Sequence, residues 1–463
     1  SDVKHPSAHG TAAQAAGESV AAGPPNRISE PKPLQHYPML GGFSYLHDPC
    51  FSRLREYTMR LPLEAKASGF PLQGLPIVLG LRPFGLLTLH YALYQLAVAM
   101  AGGFVGAFLL QQGFSLPAAL TAYAGMLVTR FALRLFALEI VRRIGFRRAM
   151  MLGAALGAMQ FIPLMRAAEP VWFIAWIGLV SLAECLYWPV HHASQAVIGG
   201  ESRGREMGIK TAVGALVGVL GPLAGGTLLA RCGPTVDFAI AAALTLASIL
   251  PLCWLGRIPA GPVPGLSDSL LAVDRGATAT FAADGWMSAG LGIAWPMVLF
   301  LALGSHYEAF GAANAAAGLV GAVTGLVCGR AIDRGERDRY LVLVCLALAF
   351  GFALRVGAGW SPLAAALANA TGAAVAGLYL PVLMSTIYDR AKRSGEAYRF
   401  HIAAEAGWDV GAASACLAGA LLAWATGLPS LAVLPAALGI LGIYAGVRSP
   451  RAAAPLAPSA RAA

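Results

Sequence analysis

The residues able to do chemistry in this 463-residue chain stand inside long apolar runs, where a charge is costly and therefore informative. Glu184 heads one stripe: Tyr187 and His191 follow at i+3 and i+7, and Gln195 continues the same helix face. His401, Glu405 and Asp409, each four apart, form a second stripe. Burial disfavours the charged form of a carboxyl group, a bias needed by any group that alternately takes up and releases a proton. Glu184 and Asp409 are accordingly the first candidates for proton coupling. Glu405 joins them nearer a helix start, where charge is cheap and a structural role competes. For Glu184 the competing reading is a structural bond to one neighbouring helix. His90, Tyr91, Tyr94 and Gln95 form a third group, with His90 and Tyr94 one turn apart; substrate hydrogen bonding, proton relay and helix packing all stay open for it. Asn314, Asn369 and Tyr379 are further candidate hydrogen-bond donors for a cavity, should these helices line one, and Trp188, Trp286, Trp295 and Trp408 are candidate aromatic walls.

Other chemistries fit poorly. Glu184, Cys185, His191 and His192 are close in sequence, but on a helix Cys185 shares a face with His192 and Glu184 with His191, so four ligands cannot converge from one span. The seven cysteines are scattered singly without a CxxC pair, so neither a zinc site nor a disulfide framework is indicated. Ser, His and Asp occur without nucleophile-elbow or metalloprotease spacing. No metal, cofactor or enzymatic reaction is expected.

The elements that must position these residues are membrane-spanning helices. The chain is 57% hydrophobic and 12% charged, about half the charge of an ordinary soluble domain. Twelve apolar spans follow Pro83, each near the ~20 residues that cross a bilayer. They run over 84–110, 116–138, 148–166, 171–198, 207–230, 235–255, 285–304, 308–330, 340–358, 362–388, 399–425 and 428–447. The predicted organisation is a tail over 1–82, a six-helix bundle over 83–255, a Pro/Gly/Asp-rich linker over 256–284, a second bundle over 285–447 and a short tail over 448–463. The first tail is read as largely disordered, with a short amphipathic helix over 51–61 and no visible signal peptide. Arginines and lysines concentrate in the loops after spans two, four, eight and ten, which by the positive-inside rule makes both termini and the linker cytoplasmic, in a bacterial inner membrane. The formal charge of +10 is therefore assigned to topology and anionic lipid and not to nucleic acid. Depth follows from 1.5 Å per helical residue, placing Glu184 about 20 Å from the outer end of its span and Asp409 about 15 Å from the inner end of its own. Arg130 and Arg134 lie on the turns before Glu139, predicting an ion-pair network near the cytoplasmic gate, and Lys210 is expected to pair with Glu206.

The two bundles echo each other. Leu186, Tyr187, Pro189 and Val190 return 192 positions later as Leu378, Tyr379, Pro381 and Val382, followed in each copy by a Gly-Glu loop at 200–201 and 395–396. Within the repeat Glu184, His191 and His192 become Ala376, Leu383 and Met384, which concentrates the predicted chemistry in the first half.

The 6+6 layout with a cytoplasmic linker resembles the major facilitator superfamily of secondary transporters, over roughly residues 83–447. The loop after the second span of each half resembles that family's GxxxD(R/K)xGRR gating motif. Gly329, Asp333, Arg334 and Gly335 carry it in the second half, and Arg142, Arg143, Gly145, Arg147 and Arg148 in the first, with Glu139 in place of the missing aspartate. The fifth span, with Gly221, Pro222, Gly225 and Gly226, resembles an antiporter-associated motif, although Val217 stands where an earlier glycine belongs; plain helix packing is the other reading of it. The resemblance implies a twelve-helix, all-α membrane protein that works by alternating access. The expected function is proton-coupled export of a small organic molecule by a monomer in the lipid bilayer. Two alternatives stand beside it: a uniporter or proton-symporting importer, and a non-transporting membrane scaffold.

Overall fold

A computed structural model describes residues 83–198, 203–258, 263, 265, 275–332, 337–393 and 397–448. The expectations for the 1–82 tail, the Gly-Glu loops and most of the linker lie outside the described residues. What remains is helical in twelve spans. In chain order these are α1 (Pro83–Gln111), α2 (Leu116–Ile144), α3 (Phe146–Met159, resuming at Phe161–Leu164), α4 (Pro170–Ile198), α5 (Arg203–Arg231) and α6 (Pro234–Trp254). The second set is α7 (Arg275–Ala302), α8 (Tyr307–Ile332), α9 (Arg337–Gly357), α10 (Pro362–Arg393), α11 (Ala397–Thr426) and α12 (Pro429–Arg448). Ten of them, among the described residues, are long and apolar enough to cross a membrane.

Local sequence sets the helix ends. The Ser115 hydroxyl accepts from the Ala118 amide at the start of α2, satisfying one orphan donor, and Pro117 supplies a fixed helical φ in the first turn. Gly145, at φ 79°, ends α2 in a conformation that side chains resist and turns the chain directly into α3. This is the local reason for a glycine in that loop. In α7, Pro296 cannot donate a backbone hydrogen bond, and the six residues before Trp295 widen into a π-helical stretch, Ala289–Ala294.

Helix α7 begins at Arg275, well before the expected 285, so Asp284 is a helical residue and not part of a linker. The repeat carried the signal: adding the 192-residue offset to the α1 start at Pro83 gives 275.

The halves meet along two main seams, α5 against α8 and α2 against α11. The first is a close glycine contact. A Cβ on Gly226 would lie 2.7 Å from the Tyr307 carbonyl oxygen, and one on Gly311 would lie 2.4 Å from that of Pro222. On the neighbouring face, a Cβ on Gly225 would meet the Met100 carbonyl oxygen at 2.1 Å and one on Gly221 the Ala99 side chain at 2.4 Å. The glycine run in α5 thus lets that helix approach both α1 and α8 closely, as small residues do in membranes.

Contacts bridge the halves at both ends as well. At the arginine-rich end Phe146 meets Tyr398 edge-on at 4.9 Å. At the opposite end Phe104 meets Phe310 at 5.1 Å, Gln111 donates to the Ser305 carbonyl at 2.9 Å and Arg231 pairs with Glu308 at 3.0 Å.

Candidate functional site

The site grows from two arginines. Arg130 and Arg134, one turn apart on α2, present their guanidiniums to the same carboxylate on α11. Arg130 Nε donates to Asp409 Oδ1 and Arg134 Nη2 to Asp409 Oδ2, while Arg130 Nη1 donates to Glu184 Oε2 on α4. Asp409 is fully buried, and both arginines nearly so. Arg130 therefore holds one carboxylate from its own half and one from the other. The sequence expectation that these arginines would serve Glu139 is corrected. Glu139 lies past the apolar part of α2 and pairs instead with Arg142 and Arg143 on the following turn, at 2.7 Å each. Hydrogen bonds from Arg142 and then Arg143 hold its carboxyl down at about 2.

The cluster extends through an aromatic ring into the second half. The Arg130 guanidinium carbon sits 5.0 Å from the centroid of Trp408, a cation–π contact. The same indole donates through Nε1 to Asp284 Oδ2 at 3.1 Å, and the Tyr379 hydroxyl donates to Oδ1 at 2.6 Å. Ser288 approaches that oxygen at 3.5 Å. Asp284 is 5% exposed, and its three neighbours are all neutral donors. Tyr379 and Trp408 stand out in the sequence as candidate cavity residues, whereas the carboxylate they both serve does not.

On α11, Glu405 stands one turn from Asp409, and its Oε1 is 3.6 Å from His192 Nε2 of α4. The three carboxylates Glu184, Glu405 and Asp409 are thus together, at the crossing of α2, α4 and α11.

The remaining predicted cavity residues separate into two groups. His90 is a tie between helices. Its Nδ1 is 2.7 Å from the Ser248 carbonyl oxygen, which can only accept, so the proton is on Nδ1 and Nε2 accepts from the Tyr187 hydroxyl at 3.1 Å. Tyr94 stacks on Tyr187 at 3.9 Å and completes that packed corner. Asn314 belongs to a chain linking α7, α8 and α10: Trp295 Nε1 donates to Asn369 Oδ1 at 2.9 Å, and Asn369 Nδ2 lies 3.2 Å from Asn314 Oδ1. His191 and Gln95 are different, because each leaves buried polar atoms without a partner. Lys210 donates to Gln195 Oε1 at 3.0 Å; the side chain of Glu206, its expected partner, lies outside the described residues. No group of three or more His, Cys, Asp or Glu among the described residues could hold a metal ion.

Of the residues that resemble the gating motif, Arg147 donates to the Leu255 carbonyl at 2.9 Å, tying the α2–α3 turn to the end of α6. Arg142, Arg143, Arg147 and Arg148 line a cavity of about 650 Å³ together with Arg257. Gly329 falls in the last turns of α8. Asp333 and Arg334 lie outside the described residues.

Residues 87–270 match the sequence model of the Major Facilitator Superfamily. Solved structures of similar architecture include the E. coli fucose:proton symporter FucP, with 17% identity and a TM-score of 0.54 over 79% of this chain and 98% of that one. The human organic anion transporter MFSD10 (TETRAN) aligns with 16% identity and a TM-score of 0.59, over 79% and 98% respectively. A D-xylose-proton symporter gives 15% and 0.58, over 78% and 95%. The chain has the major facilitator fold. No curated protein sequence matches it. Within the major facilitator architecture, the Arg130 cluster lies where the two six-helix halves meet and Asp284 on the first helix of the second half, so any relative movement of the halves must remake these contacts.

Proposed function

We propose that this chain is a secondary transporter that takes up a small solute together with a proton, by alternating access of its two six-helix halves. Secondary transport of a small solute rests on the fold together with the family match over residues 87–270. The observation that carries proton coupling is the charge balance at the crossing of the halves: two guanidiniums, Arg130 and Arg134, face three carboxylates, Glu184, Glu405 and Asp409. An ion cluster in a low-dielectric interior is tolerable only when its charges compensate, so the excess carboxylate carries a proton. Asp409 is the least suited to carry it here, because protonation would strand Arg134 and remove one of the two carboxylates of Arg130. Glu405 makes no ion pair with either guanidinium among the described residues, meets His192 at 3.6 Å, and is the better proton site.

The cluster also couples protonation to motion. When α2 and α11 part, Arg130 keeps Glu184, which belongs to its own half, but both arginines lose Asp409. Asp409 is then left on α11 without its cations and one turn from Glu405, and uptake of a proton there relieves the repulsion. Reclosure returns the arginines and displaces a proton. Asp284, held by Tyr379 and Trp408, is the acceptor a bound solute would compete for, and the Trp408 ring connects it to Arg130.

Uptake replaces the export expected from the sequence. That expectation rested on the α5 glycine run, which has a full packing role against α1 and α8, and two of the similar structures are of proteins named as proton symporters. The test uses proteoliposomes with an acidic exterior and a panel of labelled sugars, nucleosides, amino acids and organic acids. Gradient-driven accumulation abolished by a protonophore is expected. Glu405→Gln should retain solute exchange while losing accumulation. Full accumulation by that variant would remove Glu405 from the coupling role, and solute moving out as protons move in would restore the export reading.

A further inference from the structure

A second polar group lies beside the arginine cluster in the first half, and it does not look self-sufficient. Lys210 on α5 has its ammonium 3.0 Å from Gln195 Oε1 and 5.0 Å from the centre of the Tyr91 ring. Among the described side chains, no carboxylate pairs with it. Tyr91 in turn stacks on His191, with ring centroids 5.0 Å apart and planes within 15°. His191 is 1% exposed, and neither of its ring nitrogens has a hydrogen-bond partner. Gln195 Nε2 and Gln95 Oε1 are likewise buried and unpartnered, although Gln95 Nε2 donates to the Tyr91 hydroxyl at 3.0 Å.

Buried polar atoms are nearly always paired in folded proteins, so several orphans around one ammonium call for a missing group. The orphans are of defined kind. Lys210 and Gln195 Nε2 are donors, and neutral His191 offers one more N–H. Three donors of which one is a full cation match a monoanion with two adjacent acceptor oxygens. A phosphate dianion would need a second cation, and a neutral sugar would leave the ammonium uncompensated. The surrounding rings supply the rest of the surface: Tyr91, Tyr187 and Trp188 pack around His191, a wall suited to an apolar or aromatic body.

We propose that Lys210, Gln195 and His191 form the receiving site for the carboxylate of a small organic acid, whose body lies against the Tyr91–His191 stack and whose hydroxyl or N–H, where present, meets Gln95 Oε1. This deepens the transport reading and rests on it.

The experiment compares benzoate with benzamide, two probes of like shape and different charge, on the purified full chain in nanodiscs. Thermal unfolding and equilibrium binding are read for the wild type, Lys210→Gln, Lys210→Arg and Gln195→Leu. Benzoate is expected to bind and raise the unfolding temperature, and benzamide to do neither. Lys210→Gln should weaken benzoate by about thirtyfold or more, as loss of one partner of a buried charge pair does. Lys210→Arg should retain most of the binding, and Gln195→Leu should weaken it less than Lys210→Gln. Should Lys210→Gln not fold, the Gln195→Leu result and the benzoate–benzamide contrast decide the matter. Equal binding of the two probes, or benzoate binding indifferent to both positions, overturns the proposal. The transport reading fails separately: Lys210-dependent benzoate binding with no solute flux in proteoliposomes sinks transport and leaves the site standing, whereas proton-driven flux of a neutral solute without benzoate binding does the reverse.

Discussion

The two halves place a tyrosine at the same point of their fourth helix and give it opposite company. In the first half the Tyr187 hydroxyl meets His90, a neutral imidazole already fixed to the Ser248 backbone. In the second half the Tyr379 hydroxyl meets Asp284, a carboxylate held by neutral donors and joined through Trp408 to Arg130. One pair is closed on itself and the other is open to change. The repeat therefore preserves a packing position while the partner helix decides whether the hydroxyl meets a neutral ring or a carboxylate. The apparent asymmetry of the sequence, with ionisable groups concentrated in α4, is balanced in the folded chain by Asp284 on α7.

This comparison can be broken at three levels. The largest effect is expected for Arg130→Met, which removes the cation joining both networks and leaves Glu184 and part of Asp409 uncompensated. Losing one partner of a buried ion pair costs about 3–5 kcal/mol, so unfolding in detergent should shift far down and transport should vanish. A stability close to wild type would mean that the arginine does not link the halves. Next comes Asp284→Asn, which keeps the volume but sets an amide among donors that want an acceptor. About 1–3 kcal/mol of lost interaction is expected, read mainly as slower solute flux with the protein still folded. Undiminished flux would return Asp284 to a structural role. The smallest effect separates the tyrosines. Tyr187→Phe should cost about 1 kcal/mol of stability and leave transport close to normal, because it removes one neutral hydrogen bond. Tyr379→Phe should cost a similar amount of stability but slow transport, because it loosens a carboxylate. Identical transport profiles for the two variants would erase the distinction between the halves.

Much of the architecture was readable in advance because membrane helices announce themselves by length and apolarity. The α4 and α11 stripes followed from helical periodicity, and both reach the same cluster, with Glu184 and Asp409 sharing Arg130. The arginines are also legible, but their nearest carboxylate in sequence, Glu139, suggests a pairing that the fold does not make. Glu139 turned out to be satisfied by Arg142 and Arg143 within its own helix. Asp284 is hard to read from the sequence because it follows a Pro/Gly-rich stretch with the character of a linker, although the repeat offset places a helix start at Arg275.

The sequence alone determined the class of molecule, the number and order of the spans, and the stripes on which ionisable groups ride, because each depends on residues within a few turns of one another. Only the tertiary structure decided the partners. Arg130 and Asp409 are 279 residues apart, and Tyr379 and Asp284 are 95 apart. In a low-dielectric interior a charge is paired by whichever neighbour the packing of glycine-lined helices delivers, and that packing is a property of the assembled bundles, absent from any single span.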